Sequence, residues 1–109
     1  MINRAGQKIS PREVEEVIAR DAAVKAAAVI GLPDELYGER VVAYIVAEPR
    51  ARREEEALRA RLSRLCAESI SSYKCPAEYR IVDAIPLGPT GKIQRTRLRE
   101  QVLAVAGAN

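Results

Sequence analysis

A chain of 109 residues fits one domain, and at that length folding buries roughly two-thirds of the unfolded surface, enough for a modest core without disulfide support. With 18 basic and 15 acidic residues the net charge is +3, which suits contact with phosphates but falls short of a nucleic-acid-binding composition. The absence of histidine removes the commonest general base and the usual partner of a catalytic Ser or Cys, which disfavours a self-contained hydrolase and leaves chemistry to Lys, Arg or backbone groups.

The opening "INRAGQKIS" carries Gly6 between Ile2 and Ile9 and reads as a small hairpin or tight loop. In Ser10-Pro11-Arg12-Glu13, Ser10 caps a helix, Pro11 suits its first position and Glu13 completes a capping box. The helix is expected to run from Pro11 to about Arg20, with Val14, Val17 and Ile18 toward the core. Val24–Leu32 and Arg40–Glu48 read as strands, the second strongly through its Val, Ile and Tyr content, joined by a polar loop from Pro33 to Gly38. Arg52 to Ile70 reads as a surface helix with Leu58, Leu62 and Leu65 on one face. Ala77–Pro86 supplies a third strand, and a closing helix starts at about Gln94.

The fold class is α+β, a small three-stranded sheet covered by helices, with an N-terminal hairpin. No internal repeat or low-complexity linker divides residues 1–109, so the whole chain reads as one unit. Such a sheet is a poor container for a small molecule, which suggests that the domain completes a site on something else. Cys66 and Cys75 have no metal-ligand spacing, so free thiols in a reducing cytosol and no metal site are expected. No apolar run approaches the roughly 20 residues of a membrane span and no signal-peptide pattern is present, so a soluble, cytoplasmic chain is expected.

In "PLGPTGKIQR" the residues Gly88, Pro89, Thr90 and Gly91 allow a tight loop, with Gly91 free to take positive φ. Lys92 follows directly, either as a cation presented to an oxyanion or phosphate or as an ordinary solvated lysine, and spacing leaves both open. The loop is not a phosphate-binding Walker A sequence, because Pro86 and Ile93 stand where that motif needs Gly and Ser or Thr. Arg95, Arg97 and Arg99 either extend a basic patch or, as alternating arginines on a helix more often do, form solvent-side ion pairs.

"INRAGQKISPREVEE" and "PLGPTGKIQRTRLRE" resemble the two signature motifs of the C-terminal domain of AMP-forming acyl-CoA synthetases, the adenylating superfamily that includes firefly luciferase and peptide-synthetase adenylation domains. "VIGLPDELYGERVVAYIV" and "SSYKCPAEYRIVDAIP" also look like family segments, so the resemblance runs from Ile2 to about Leu103. It implies that residues 1–109 are a mobile lid, whose hinge acidic residue is expected shortly before Ile2. The lid's partner is a large N-terminal domain that binds ATP with Mg and a small-molecule carboxylate. It further implies that Lys92, supported by Thr90, Gly91 and Arg95, enters the active site for adenylate formation. After pyrophosphate leaves, the lid turns so that Gly6, with Gln7 and Lys8, lines the path of the coenzyme A thiol.

Many relatives carry lysine where this chain has Asn3, and hairpin alternation is expected to send the side chains of Arg4 and Lys8 elsewhere. The family resemblance also implies acetylation of Lys92 by a protein lysine acetyltransferase, reversed by a deacylase. "PTGKIQR" is closer to acyl-CoA synthetases than to peptide-synthetase domains, which keeps a lid that loads a carrier protein as the second reading. A free-standing basic module for an acidic partner or nucleic acid comes third, disfavoured by the low net charge and the absence of Trp and Phe for base stacking. The acid itself is not legible.

Overall fold

The computed structural model describes residues 1–107. Strands β1 (Ile2–Arg4) and β2 (Gln7–Ile9) form a hairpin, followed by helix α1 (Pro11–Ile18) and a longer hairpin of β3 (Val24–Asp34) and β4 (Gly38–Ala47). Helices α2 (Pro49–Arg52) and α3 (Glu55–Ser69), a short 3-10 turn (Ser72–Lys74), strand β5 (Glu78–Ile81) and helix α4 (Arg95–Gly107) complete the order. The main sheet is β3-β4-β5, with β4 antiparallel to β3 and parallel to β5. A parallel neighbour needs a crossover, which α3 provides.

Both faces of this sheet are covered, and the nearly continuous apolar runs in β3 and β4 follow from that. Ala27 and Val29 of β3 and Val41, Ala43, Ile45 and Ala47 of β4 face α1 and α3, packing with Val14, Val17, Ile18, Leu58, Leu62 and Cys66. Alternation sends Ala28, Ile30 and Leu32 of β3 with Val42 and Tyr44 of β4 to the other face, where Leu98 of α4 covers them. Each fully buried Leu or Ile contributes about 1.5–3 kcal/mol of transfer free energy, so the α1–sheet–α3 side holds most of the stability.

The expected α+β architecture is present, with several differences of detail. Helix α1 ends at Ile18, and Arg20 belongs to the turn that follows. Its cap is only half of the expected box: Ser10 Oγ accepts the Glu13 N–H at 3.4 Å, while the Glu13 carboxylate pairs with Lys74 Nζ at 2.9 Å. The Pro33–Gly38 loop is tighter than expected, because Pro33 and Asp34 still pair in β3 and only residues 35–37 turn. Asp34 Oδ1 accepts the N–H groups of Leu36 and Tyr37, which folds that turn without further residues.

On α3 the third buried side chain is Cys66, at i+4 from Leu62, and Leu65 is only half-buried. The short α2 with Pro49 at its first turn was not anticipated, and β5 is shorter than the expected Ala77–Pro86 because the chain leaves the sheet after Ile81. Cys66 and Cys75 are both free, and burial pushes both thiols up from their ordinary range. No helix among the described residues is long and apolar enough to cross a membrane.

Gly31 of β3 sits under β1, where an added Cβ would lie 2.8 Å from Glu39 Oε2 and 3.0 Å from Ile2 Cγ2. Gly31→Ala is therefore expected to lower stability by about 1–3 kcal/mol through overpacking, measured as a reduced chemical-denaturation midpoint with an unchanged slope. An unchanged midpoint would show that Glu39 and Ile2 can move aside at no cost.

Candidate functional site

The Lys92 loop is a small closed hairpin. Gly88 N–H donates to the Lys92 carbonyl at 2.8 Å, Gly91 N–H to the Gly88 carbonyl at 2.9 Å, and Gln94 N–H to the Pro86 carbonyl at 3.0 Å, beside a bridge between Leu87 and Ile93. Pro89 and Thr90 fill the centre of the turn, and Gly91 follows at φ +82°, the left-handed region that favours glycine. A Cβ at Gly91 would meet nothing within 4 Å, so the glycine is required by torsion and not by space. Thr90 is exposed and contributes through its backbone.

Lys92 itself is exposed and, among the described residues, makes no side-chain hydrogen bond or ion pair. It stands over an open depression of about 620 Å³ shared with Arg12, Glu15, Glu16 and Arg95. The depression is open, so this surface can present a cation to a partner but does not enclose a substrate.

Arg95 begins α4 three residues after Lys92, and its guanidinium turns inward to Glu15 of α1. Its Nε donates to Glu15 Oε2 at 2.6 Å and its Nη2 pairs with Glu15 Oε1. The same carboxylate accepts the Val29 N–H of β3 at 2.8 Å and is 8% exposed. Held by Glu15, the Arg95 guanidinium is pushed further above its ordinary range, against the opposing effect of burial, and stays charged. One buried carboxylate thus ties α1, the edge of the sheet and the root of the lysine loop together.

Arg99 also faces inward, donating from Nε to the Gly31 carbonyl at 2.8 Å. The ion pairs expected of Arg95 and Arg99 exist, and although both arginines stay partly exposed, each pair also anchors α4 to another element. Arg97 is exposed and unpaired among the described residues.

The first motif is presented on a different support. Ala5 at φ +51° and Gly6 at φ +84° form the two-residue turn between β1 and β2. Asn3 Oδ1 accepts the Gly6 N–H at 3.0 Å, and Ala5 N–H donates to the Tyr37 carbonyl at 2.7 Å. The Arg4 guanidinium lies 3.9 Å from the centroid of the Tyr37 ring. The hairpin tip therefore docks on the β3–β4 turn.

Gly6 faces open space, with nothing within 4 Å of an added Cβ, and Gln7 and Lys8 are exposed beside it. The strand register is Asn3 opposite Lys8 and Arg4 opposite Gln7. Cross-strand partners share a face, so Lys8 lies on the side of Asn3, contrary to the expectation from alternation, whereas Arg4 does point to the other side.

Sequence reasoning did not single out Glu15 or Tyr37. Glu15 lies next to Val14 and one turn before Ile18, on the border of the apolar stripe, and a carboxylate there is the one signal that would have marked it. Tyr37 carried no signal, because its role depends on a contact between two distant turns.

Comparison with known proteins adds a consistent set of relatives. The model of the AMP-binding enzyme C-terminal domain family matches residues 13–92. A sulfoacetate–CoA ligase of Cupriavidus necator is 41% identical over 98 residues, which cover 90% of this chain and 18% of that protein. A fatty acid–[acyl-carrier-protein] ligase of Streptomyces coeruleorubidus is 37% identical over 97 residues, 89% of this chain and 18% of its own length. The solved structure of a Mycobacterium tuberculosis fatty acyl CoA synthetase superposes with a TM-score of 0.84 at 39% identity, covering 96% of this chain and 20% of that one. The chain spans about a fifth of the length of these relatives.

The Glu15–Arg95 pair generates a thermodynamic test. Arg95→Ala leaves a buried carboxylate without its cation, and Glu15→Ala leaves the Val29 N–H without an acceptor, so each is expected to cost about 2–4 kcal/mol. The double variant should cost less than the sum, with a coupling of about 1–3 kcal/mol read from a denaturation cycle. Strict additivity would show that the two side chains do not act as one unit.

Proposed function

Because the chain belongs to the AMP-binding enzyme C-terminal domain family, we propose that it is the mobile lid of an adenylate-forming acid–thiol ligase, contributing one surface to each of two half-reactions. The observation that supports this most is Lys92, a cation unpaired among the described residues, on a loop closed by three backbone hydrogen bonds and rooted in the half-buried Glu15–Arg95 pair. The backbone that carries it has little conformational freedom left to lose when it meets a partner surface, so only the side chain remains to be ordered. There it offsets negative charge as a carboxylate approaches the α-phosphate of ATP.

In this reading the Gly6 hairpin serves the second half-reaction, in which the acyl group passes from the adenylate to the thiol of coenzyme A. Gly6, Gln7 and Lys8 present a backbone-rich, uncrowded edge, and Lys8 is the cation on the face of Asn3, where many relatives carry lysine. Sulfoacetate and fatty acids name different relatives that share this region, so we assign choice of acid to the rest of the length of such enzymes, outside the fifth that matches this chain. ATP and Mg are assigned there too, as the resemblance to adenylate-forming enzymes implies.

Coenzyme A is the preferred acceptor. A carrier protein is the second reading, supported by the similarity to an acyl-carrier-protein ligase. A cytoplasmic setting fits the supply of ATP and coenzyme A that this activity needs.

In the full-length ligase, Lys92→Ala is expected to slow adenylate formation by about 10²–10³-fold while the reaction of preformed acyl-adenylate with coenzyme A stays within a few-fold. Gly6→Leu should give the reverse pattern, with pyrophosphate exchange preserved. Equal losses in both half-reactions for either variant would refute the alternation of the two surfaces.

Lys92 is also proposed as a site of reversible acetylation, since a modifying enzyme reaches an exposed, unpaired amine on a projecting loop. Transfer of acetyl from acetyl-CoA to Nζ releases the thiol and a proton and removes the charge. Incubation with a lysine acetyltransferase and peptide mass mapping is expected to find the label concentrated on Lys92. Even labelling of Lys8, Lys25, Lys74 and Lys92 would remove the idea of a dedicated site.

A further inference from the structure

The hairpin that carries Gly6 has only a short ladder of its own, three residue pairs between β1 and β2, and such a ribbon is marginal without a support. One edge of β1 is supported by a side chain from the main sheet. Glu39 of β4 accepts the Asn3 N–H at Oε1, 2.8 Å away, in the strand residue whose own Oδ1 holds the Gly6 N–H. Its other oxygen faces Arg99 Nη2 at 3.7 Å, while Arg99 is fixed by its bond to the Gly31 carbonyl. Gly31 leaves the room: a Cβ there would overlap Glu39 Oε2 at 2.8 Å.

The relay Arg99–Glu39–Asn3–Gly6 therefore runs from α4, the helix rooted at the lysine loop, to the turn of the first motif. From this geometry we propose that Glu39 is a positioning residue for the Gly6 turn, acting through the Asn3 N–H, and that Arg99 holds Glu39 in place. This inference rests on the reading above that the Gly6 hairpin serves thioester formation.

Glu39 does not touch the exposed tip. Its effect is to fix the angle at which the hairpin leaves the sheet, together with the Ala5–Tyr37 backbone bond at the far end. With both tethers the turn is held at two points. Ile2 and Ile9 seat the base of the hairpin in the core, so loss of the Glu39 contact leaves the hairpin attached but frees the outer edge of β1, and the path it lines loses its shape.

The test uses the full-length ligase carrying Glu39→Ala, Glu39→Gln or, as a control, Gly6→Val. Thioester formation is measured from synthetic acetyl-, octanoyl- and benzoyl-adenylates with coenzyme A, adenylation by pyrophosphate exchange with the matching acid, and hairpin order by hydrogen exchange of the peptide spanning residues 1–9. Glu39→Ala is expected to lower kcat/KM for coenzyme A about tenfold, keep pyrophosphate exchange within about twofold, and speed exchange of the hairpin amides. Glu39→Gln, which keeps the acceptor oxygen, should recover most of the rate and protection.

Parallel loss of both half-reactions, unchanged exchange in the hairpin, or a Gln variant as impaired as the Ala variant would overturn the proposal. If Gly6→Val leaves thioester formation intact, the hairpin reading itself fails, and the exchange measurement still decides whether Glu39 tethers β1.

Discussion

Strand β3 lies at the edge of the main sheet, and the polar groups on its outer side must find partners away from the ladder. Three side chains meet that constraint. Glu15 accepts the Val29 N–H, Arg99 donates to the Gly31 carbonyl, and Arg95 neutralises the carboxylate that the first contact buries. Helix α1 and the start of α4 are fixed against the same edge by this arrangement. The two motifs lie just outside it: the Gly6 hairpin precedes α1, and the Lys92 loop precedes α4. Satisfying a sheet edge and aiming the two motif loops are thus one structural act.

Different parts of this arrangement were legible in the sequence to different degrees. The elements were readable where periodicity and caps agree, as in Ser10-Pro11 before Val14, Val17 and Ile18, or in the runs of β3 and β4. Boundaries failed where a side chain overrode composition. Pro33 and Asp34 look like loop residues, yet Asp34 closes the turn from within β3. Leu65 looks like core, yet the i+4 spacing from Leu62 selects Cys66. The candidate site residues were legible as short motifs, but Glu15 and Arg95 lie 80 positions apart, and no local pattern announces a pair of that separation. Register was equally hidden, so the common face of Asn3 and Lys8 became visible only with the ladder.

Torsion explains why both loops depend on glycine. Gly6 and Gly91 sit at φ +84° and +82° with open space around an added Cβ, so neither is a product of crowding in the domain. A left-handed residue reverses the chain within two or three positions and leaves a narrow projecting tip. A lid in the proposed role needs that shape twice, since each tip has to enter a site formed mainly by another domain. Ala5, at φ +51° without being glycine, carries the strain of the sharper turn, and its bond to Tyr37 offsets part of that cost.

The isolation of Lys92 completes the argument. The neighbouring cations Arg95 and Arg99 are engaged by Glu15 and Glu39, and Arg12 is paired with Glu16 at 3.2 Å. Had Lys92 been drawn into the same network, bringing it to a phosphate would first require breaking an ion pair, and the gain would be reduced by that amount. The two carboxylates of the depression are instead occupied by arginines, whose planar forks suit fixed bidentate or stacked contacts. The compact ammonium is left over without a partner among the described residues. A cation left unpaired while the carboxylates of its depression are engaged fits the proposed role, in which the lysine acts at a site formed mainly by another domain.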